Sequence, residues 1–134
     1  MSHQTAKVLL YSDDRIVRQQ VRLALGKRVA SDLPELAVFD VATQPAVLRA
    51  LDSGGYDLVI MDAEAAPSGG MGLCHQVKDE IPGCPPVLLL VARVADAWLA
   101  TWSRADAVSS YPVDPERLPA AVAALLRARL SSAV

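Results

Sequence analysis

The stretch YDLVIMD, residues 56–62, decides the predicted fold of this chain. Its apolar run LVIM has the length and the β-branched content of a strand that is buried on both faces of a parallel sheet. The run ends abruptly on the carboxylate of Asp62. In open α/β sheets, ligands bind at the carboxyl ends of the strands, so the sequence places Asp62 at the edge where a functional site is expected.

Four further strands and five helices are predicted around this strand. The other strands cover Ala6–Tyr11, Leu36–Val41, Val87–Val91 and Ala107–Ser110. Helices are predicted from the first acidic turn to about residue 29, from Thr43 to residue 53, over residues 71–80, over residues 94–104, and from about residue 118 onward. Alternating strands and helices indicate right-handed crossovers and a parallel sheet covered on both faces. The predicted class is therefore α/β, with a doubly wound five-stranded parallel sheet.

The first helix has clear signals at its start and along one face. Asp14 is a preferred N-cap residue, and Val17 and Val21 recur at helical spacing after it. Arg18 and Arg22 lie on the other side of the helix, where we expect a solvated surface.

Length and composition limit the classes of protein that fit. The chain has 134 residues, so we expect one domain over residues 1–134 with no separate output domain. Thirteen basic and fifteen acidic residues give a net charge of -2, which disfavours nucleic acid and anionic membrane as partners. No apolar run is long enough to span a bilayer, and the N-terminus lacks the features of a signal peptide. We therefore expect a cytoplasmic protein in which Cys74 and Cys84 are free thiols.

Acidic side chains follow two of the strands that end at the predicted functional edge. They are Asp13 and Asp14 after the first strand, and Asp62 and Glu64 after the third. Carboxylates brought together repel each other, and a hard cation such as Mg2+ between them relieves that repulsion. A carboxylate beside such a metal can accept a phosphoryl group as an acyl phosphate.

With these features the sequence resembles the receiver domain of bacterial two-component response regulators. The resemblance rests on the order of the elements, the acidic turn YSDDRIVR at residues 11–18, the apolar strand that ends in Asp62, and the segment PPVLLLVA at residues 85–92. It covers nearly the whole chain and implies the flavodoxin-like (βα)5 fold of the chemotaxis response regulator. It also implies a phosphorelay role, with Asp62 as the phosphoacceptor and Asp13 as a direct Mg2+ ligand. Glu64 lies where the family supplies a main-chain carbonyl to the metal, and its side chain is a further candidate ligand.

The chain departs from the family pattern around this site. Ser12 occupies the position of the first of two adjacent acids, and Val91 occupies that of a Ser or Thr that hydrogen-bonds the phosphoryl group. Tyr111, before Pro112, replaces the family's Lys, and the loop after Asp62 is longer than usual. We therefore expect an atypical receiver in which Asp62 is an inefficient phosphoacceptor and Mg2+ binds weakly.

A partner surface is expected on the fourth helix, the fifth strand and the fifth helix, where the family has its commonest dimer and partner contacts. Trp98 and Trp102 lie on the predicted helix over residues 94–104, and Tyr111 follows the fifth strand. Core packing is the commoner explanation for such tryptophans, but Trp is also enriched at interfaces. The expected partners are a sensor histidine kinase, another signalling protein, or a second copy of this chain.

These features favour a stand-alone, atypical response regulator that is not an enzyme and acts through protein–protein contacts. One alternative is a phosphorylation-independent pseudo-receiver. Another is an α/β domain that binds or hydrolyses a small ligand at the same strand edge, although the sequence contains no glycine-rich phosphate loop, nucleophile elbow or Cys-His arrangement. A DNA-binding regulator is a third possibility, which the acidic balance of the chain disfavours.

Overall fold

Five parallel strands form one sheet at the centre of the protein. The computed structural model describes residues 5–92 and 101–132. The strands are β1 (Ala6–Tyr11), β2 (Leu36–Val41), β3 (Leu58–Asp62), β4 (Val87–Val91) and β5 (Ala107–Ser110). Their spatial order is β2-β1-β3-β4-β5, and every pair of neighbours is parallel. This is the flavodoxin-like order, so the predicted fold class is confirmed.

Within the described residues, three helices connect successive strands and a fourth follows β5. They are α1 (Arg15–Leu25), α2 (Gln44–Ser53), α3 (Gly70–Glu80) and α4 (Arg117–Ser132). The predicted helix over residues 94–104, with Trp98, lies mostly outside the described residues. The part of it that is described is helical at residues 101–103. None of the helices described is long and apolar enough to cross a membrane.

The helix ends follow the sequence signals, with one exception. The side chain of Asp14 caps α1 by accepting a hydrogen bond from the N–H of Ile16, and Thr43 caps α2 in the same way. The first helix ends at Leu25, earlier than the predicted end near residue 29. Gly26 ends it because this residue adopts a φ of 62°, which glycine tolerates best, and its N–H bonds to the carbonyl of Arg22.

The central strands are buried on both faces of the sheet. Every residue of β3 and β4 is buried, as the apolar runs predicted. Side chains of successive strand residues point to opposite faces, so the sheet separates two hydrophobic clusters. One contains Leu10 and Ile60 and packs against α1 and α4, and the other contains Leu9 and Met61 and packs against α2 and α3. This double layer fixes the carboxyl ends of the strands relative to one another.

Four residues that the sequence singled out meet at this edge of the sheet. Ser12 follows β1, Asp62 ends β3, Val91 ends β4 and Tyr111 follows β5. Strand β3 lies between β1 and β4, so Asp62 is central among them. Backbone bonds extend the ladder to this edge, including one of 2.9 Å from the Tyr111 N–H to the Val91 carbonyl.

Candidate functional site

The carboxylate of Asp62 is buried, and both of its oxygens accept hydrogen bonds. Only 2% of the residue is exposed to solvent. Oδ2 accepts a hydrogen bond of 2.7 Å from the hydroxyl of Ser12, and Oδ1 accepts one of 2.8 Å from the N–H of Glu64. A buried carboxylate is costly unless such donors satisfy it. These two donors therefore hold the Asp62 side chain in one orientation at the end of β3.

Ser12 is itself fixed by the start of α1. Its hydroxyl oxygen accepts a hydrogen bond of 3.0 Å from the N–H of Asp14, while the same hydroxyl donates to Asp62. Its carbonyl accepts a hydrogen bond of 2.6 Å from the guanidinium of Arg18. The acidic turn, the first helix and Asp62 consequently form one hydrogen-bonded unit. The sequence marked Ser12 as a replacement for an acid but gave no signal for its bond to Asp62.

Arg18 is more buried than the predicted solvated surface implies. Its side chain is 17% exposed, and its Nε lies 3.5 Å from Oδ2 of Asp40 on β2. Arg22 also binds Asp40, at 2.6 Å, but remains 46% exposed. The expectation of a solvated face is therefore wrong for Arg18, because this residue reaches over the edge of the sheet to Ser12 and Asp40.

The other acidic residues lie around Asp62 but serve different contacts. Asp13 is exposed, and its charge helps to raise the pKa of Tyr11, for which burial is the larger cause. Asp14 caps α1. Glu64 is exposed, and one of its carboxylate oxygens accepts a bond of 3.4 Å from the N–H of Ala92.

These acidic residues have the right donor atoms for Mg2+, but the structure does not cluster enough of them to form a metal site. Carboxylate oxygens are the ligands that Mg2+ prefers, and Asp13, Asp62 and Glu64 supply them. Within residues 5–92 and 101–132, however, no three His, Cys, Asp or Glu side chains are grouped so as to hold a metal ion. The residues thus fit Mg2+ in kind, but the structure does not gather the three predicted ligands into one set.

Tyr111 places a hydroxyl beside this carboxylate. The hydroxyl oxygen is buried and has no hydrogen-bond partner of acceptable distance and angle among the described residues. Burial is the largest cause of the raised pKa of the Tyr111 hydroxyl, followed by a hydrogen-bonding interaction with the Asp62 carboxylate and by the charge of that carboxylate, and the charges of Glu64 and Asp14 add to this shift. The group therefore stays protonated at neutral pH and is available as a donor. On the neighbouring strand, the buried side chain of Val91 offers no polar atom.

The long loop after Asp62 is tied to the first strand and the second helix. The hydroxyl of Tyr11 donates a hydrogen bond of 2.5 Å to the carbonyl of Ser68, whose own hydroxyl donates to Gln44 at 2.8 Å. The loop then enters α3 at Gly70, which packs directly on the backbone of Asp62. A Cβ added at Gly70 would lie 2.7 Å from the Asp62 carbonyl oxygen. The sequence marked this stretch only as irregular, so it missed the close approach at Gly70.

The predicted partner surface is only partly described. Trp102 is 51% exposed, and its ring stacks on His75 with the centroids 4.2 Å apart and the planes 5° from parallel. Val108 on β5 is 42% exposed. Tyr111 is half-buried, and Trp98 lies outside the described residues. Large apolar side chains are therefore exposed on β5, at Val108, and separately at Trp102.

Comparisons with known proteins place these features in context. No family model matches the chain. An uncharacterized response regulatory protein of Mycobacterium tuberculosis is 52% identical over 122 residues, which cover 91% of this chain and 92% of that protein.

Solved structures show the same fold. The signal receiver domain of an HD domain-containing protein from Pseudomonas fluorescens superposes with a TM-score of 0.79 at 21% identity, covering 98% of this chain and 94% of that one. The chemotaxis response regulator CheY4 of Vibrio cholerae superposes with a TM-score of 0.74 at 21% identity, covering 92% of this chain and 100% of that one.

Proposed function

Because the chain belongs to the response regulators of two-component systems and has their receiver fold, we propose that Asp62 is its phosphoacceptor and that its output is a protein–protein contact. The observation that carries the proposal is the position of Asp62. It is the buried acidic residue at the end of the central strand, where the receiver family has its phosphoacceptor. Receiver domains are signalling proteins rather than conventional enzymes, and this chain is proposed to work in the same way.

The proposed reaction is a phosphoryl transfer to Asp62. One carboxylate oxygen attacks the phosphorus of the donor, which is a phosphohistidine of a sensor kinase or a small acyl phosphate. The bond from phosphorus to the donor breaks, and the leaving group keeps that electron pair. The product is an acyl phosphate, which water later hydrolyses to restore the carboxylate and release inorganic phosphate.

Mg2+ is proposed to bind weakly at the same edge. Asp13 and Asp62 are the proposed ligands, and Glu64 is a further candidate whose carboxylate now accepts a bond from Ala92. When bound, Mg2+ neutralises charge on the carboxylates and on the incoming phosphoryl oxygens. Weak binding follows from Ser12, because this position contributes a hydroxyl in place of a carboxylate.

The site is proposed to be atypical because three neighbours of Asp62 are changed. Ser12 donates to Asp62 in place of an acidic ligand, and Val91 offers no hydroxyl. Tyr111 has a neutral hydroxyl where the family has a cation. A hydrogen bond to a charged group contributes about 1.5 to 3 kcal/mol, so these changes slow phosphotransfer more than they prevent it.

The proposed contact surface comprises exposed side chains on β5 and at Trp102, together with the half-buried Tyr111. Trp102 and Val108 are the exposed large side chains of this area. Its partner is a sensor kinase, another signalling protein, or a second copy of the chain. Substituting Val108 with Asp would introduce a charge there, and we expect weaker partner binding or dimerisation without loss of the fold. Size-exclusion chromatography with light scattering tests the dimer.

Phosphotransfer can be tested directly by intact-protein mass spectrometry. The protein is incubated with a small acyl phosphate and Mg2+, beside the Asp62→Asn and Asp13→Asn variants. We expect one phosphoryl adduct on the unaltered protein, none on Asp62→Asn, and a slower reaction for Asp13→Asn. An unaltered protein that acquires no adduct would contradict the proposal.

A phosphorylation-independent pseudo-receiver is the second candidate function. The hydrogen bonds from Ser12 and Glu64 favour it, because they occupy both oxygens of Asp62. In that case Asp62→Asn would bind the protein's partner as the unaltered chain does, since the amide oxygen can accept from the N–H of Glu64 while the amide NH2 donates to the Ser12 hydroxyl oxygen. The partner-binding assay with this variant therefore separates the two functions.

A further inference from the structure

The main chain of Ser12 is held by a charged side chain from α1. The guanidinium of Arg18 donates a hydrogen bond of 2.6 Å to the Ser12 carbonyl, and Ser12 is fully buried. A hydrogen bond from a charged donor is about twice as strong as one between neutral groups. The turn between β1 and α1 is therefore restrained at the residue whose hydroxyl binds Asp62.

Arg18 is itself fixed by a carboxylate on the edge strand of the sheet. Its Nε lies 3.5 Å from Oδ2 of Asp40 on β2. Arg22, one helical turn later, binds the other oxygen of Asp40 at 2.6 Å and the carbonyl of Val38 at 2.9 Å. Among the described residues, the side chain of Arg22 makes no hydrogen bond to Ser12. Asp40 thus binds two arginines, of which only Arg18 reaches the functional edge.

The restraint on Ser12 extends to the Asp62 carboxylate through the Ser12 hydroxyl. The hydroxyl oxygen accepts from the N–H of Asp14 at 3.0 Å and donates its proton to Oδ2 of Asp62 at 2.7 Å. The carbonyl of Asp14, at 3.5 Å, is a more distant second acceptor for this proton. A cation that binds Oδ2 has to compete with the Ser12 hydroxyl for that oxygen.

We infer that Arg18 is a positioning residue that locks the Ser12 hydroxyl onto Asp62 and so holds Asp62 in its metal-free arrangement. The inference rests on the proposed function, because the locked oxygen belongs to the proposed phosphoacceptor. Without Arg18, the buried carbonyl of Ser12 loses its charged donor, and the main chain of Ser12 is free to shift. Mg2+ then competes with a weaker hydrogen bond and binds Asp62 more tightly.

Amide hydrogen exchange followed by NMR tests the lock without any ligand. The proteins compared are the unaltered chain, Arg18→Met and Arg22→Met, because Met forms helix as readily as Arg. We expect the N–H of Asp14 to exchange about threefold to tenfold faster in Arg18→Met, the range of coupling within one hydrogen-bond network. Arg22→Met is the matched control and should leave this exchange unchanged, although it also loses a bond to Asp40.

A second substitution at the same position guards against a folding defect. Arg18→Lys retains a cation for the Ser12 carbonyl but lacks the planar fork that also reaches Asp40. It should give an exchange rate between those of the unaltered chain and Arg18→Met. Unchanged exchange in both Arg18 variants, or equal acceleration in Arg22→Met, would overturn the inference.

A double-mutant cycle on Mg2+ binding tests the consequence for Asp62. NMR titration with Mg2+ compares the unaltered chain, Arg18→Met, Ser12→Ala and the double variant. We expect each single variant to bind about threefold to tenfold more tightly, and the double variant no more tightly than Ser12→Ala, because Arg18 then has no hydroxyl to position. Additive effects of the two substitutions, or weaker binding by Arg18→Met, would show that Arg18 does not act through Ser12.

The outcomes separate this inference from the proposed function. If the unaltered chain is phosphorylated on Asp62 while Arg18→Met exchanges and binds Mg2+ as the unaltered chain does, the role of Arg18 is overturned and that of Asp62 stands. If none of these proteins binds Mg2+ and the unaltered chain acquires no phosphoryl group, both are overturned.

Discussion

The hydroxyl of Ser12 donates a hydrogen bond of 2.7 Å to Oδ2 of Asp62, across 50 residues of sequence. This bond joins the end of β1 to the end of β3 in the place where the receiver family has a second carboxylate. It satisfies the buried acid without a metal ion. We therefore expect this bond to compete with the proposed binding of Mg2+ at Asp62.

Two substitutions of Ser12 should affect the Asp62 carboxylate differently. Ser12→Ala leaves a buried oxygen of Asp62 without its donor, and we expect a loss of about 1 to 3 kcal/mol in the free energy of unfolding. Ser12→Asp places a second carboxylate beside Asp62, so we expect lower stability without Mg2+ and recovery when Mg2+ is added.

Urea unfolding with and without Mg2+ measures both effects. Each tenfold gain in Mg2+ affinity adds about 1.4 kcal/mol of stabilisation at saturating metal. An equal response to Mg2+ in Ser12→Asp and in the unaltered protein would show that Ser12 does not limit metal binding.

The two tyrosines near the site should respond differently to loss of their hydroxyls. Tyr11 donates to the Ser68 carbonyl, so Tyr11→Phe should lower the free energy of unfolding by about 1 kcal/mol. The Tyr111 hydroxyl has no hydrogen bond of acceptable distance and angle among the described residues, so Tyr111→Phe should cost less than Tyr11→Phe. Chemical denaturation of the two variants under one set of conditions makes the comparison, and equal destabilisation would count against the unpaired hydroxyl.

Two glycines of α3 provide a matched pair. A Cβ at Gly70 would collide with the backbone of Asp62, so Gly70→Ala should cost about 1 to 3 kcal/mol and displace Asp62. Gly72 has no atom within 4 Å of the added Cβ, so Gly72→Ala should gain up to about 1 kcal/mol through helix propensity. Thermal unfolding gives the sign of each change. The close contact would be refuted by a Gly70→Ala protein as stable as Gly72→Ala.

An ion pair far from the site should make the free energy of unfolding depend on pH in the acidic range. Arg127 on α4 holds both carboxylate oxygens of Asp32, at 2.8 and 2.9 Å, and this hydrogen bonding lowers the pKa of Asp32 below its ordinary value of 3.8. The charged pair therefore contributes stability above the pKa of the unfolded state, and that contribution disappears as the pH falls through the lower folded-state pKa.

Asp32→Asn provides the measurement for this pair. Its stability deficit relative to the unaltered chain should be present near neutral pH and should vanish at low pH. Both residues are exposed, so the experiment is best done at low ionic strength, where screening is weak. A deficit that stays constant with pH would exclude a contribution from the Asp32 charge.

Most of the fold could be predicted from the sequence because its signals are local and strong. The apolar runs of β3 and β4 predict strands buried on both faces, and Asp14 and Thr43 are recognisable N-cap residues of α1 and α2. The end of α1 was misplaced, because apolar periodicity continues past Gly26 while the positive φ of that residue stops the helix.

The detail of the site could be predicted only in outline. The parallel topology brings Ser12, Asp62 and Tyr111 to one edge, and the sequence pattern showed that much. Three details depend on differences of a few tenths of an ångström in the distances between distant parts of the chain. They are the bond from Ser12 to Asp62, the hydrogen bonding of the Tyr111 hydroxyl and the approach of Gly70 to Asp62. Residue type and spacing carry no information on such distances.

The proposed role of Asp62 is tested most directly by locating the phosphoryl group on the chain. After incubation with a small acyl phosphate and Mg2+, reduction with borohydride converts an aspartyl phosphate to homoserine, which peptide mass spectrometry assigns to a position. We expect homoserine at position 62 and at no other acidic residue. Modification at Asp13, Asp14 or Glu64 instead, or no modified residue at all, would contradict it.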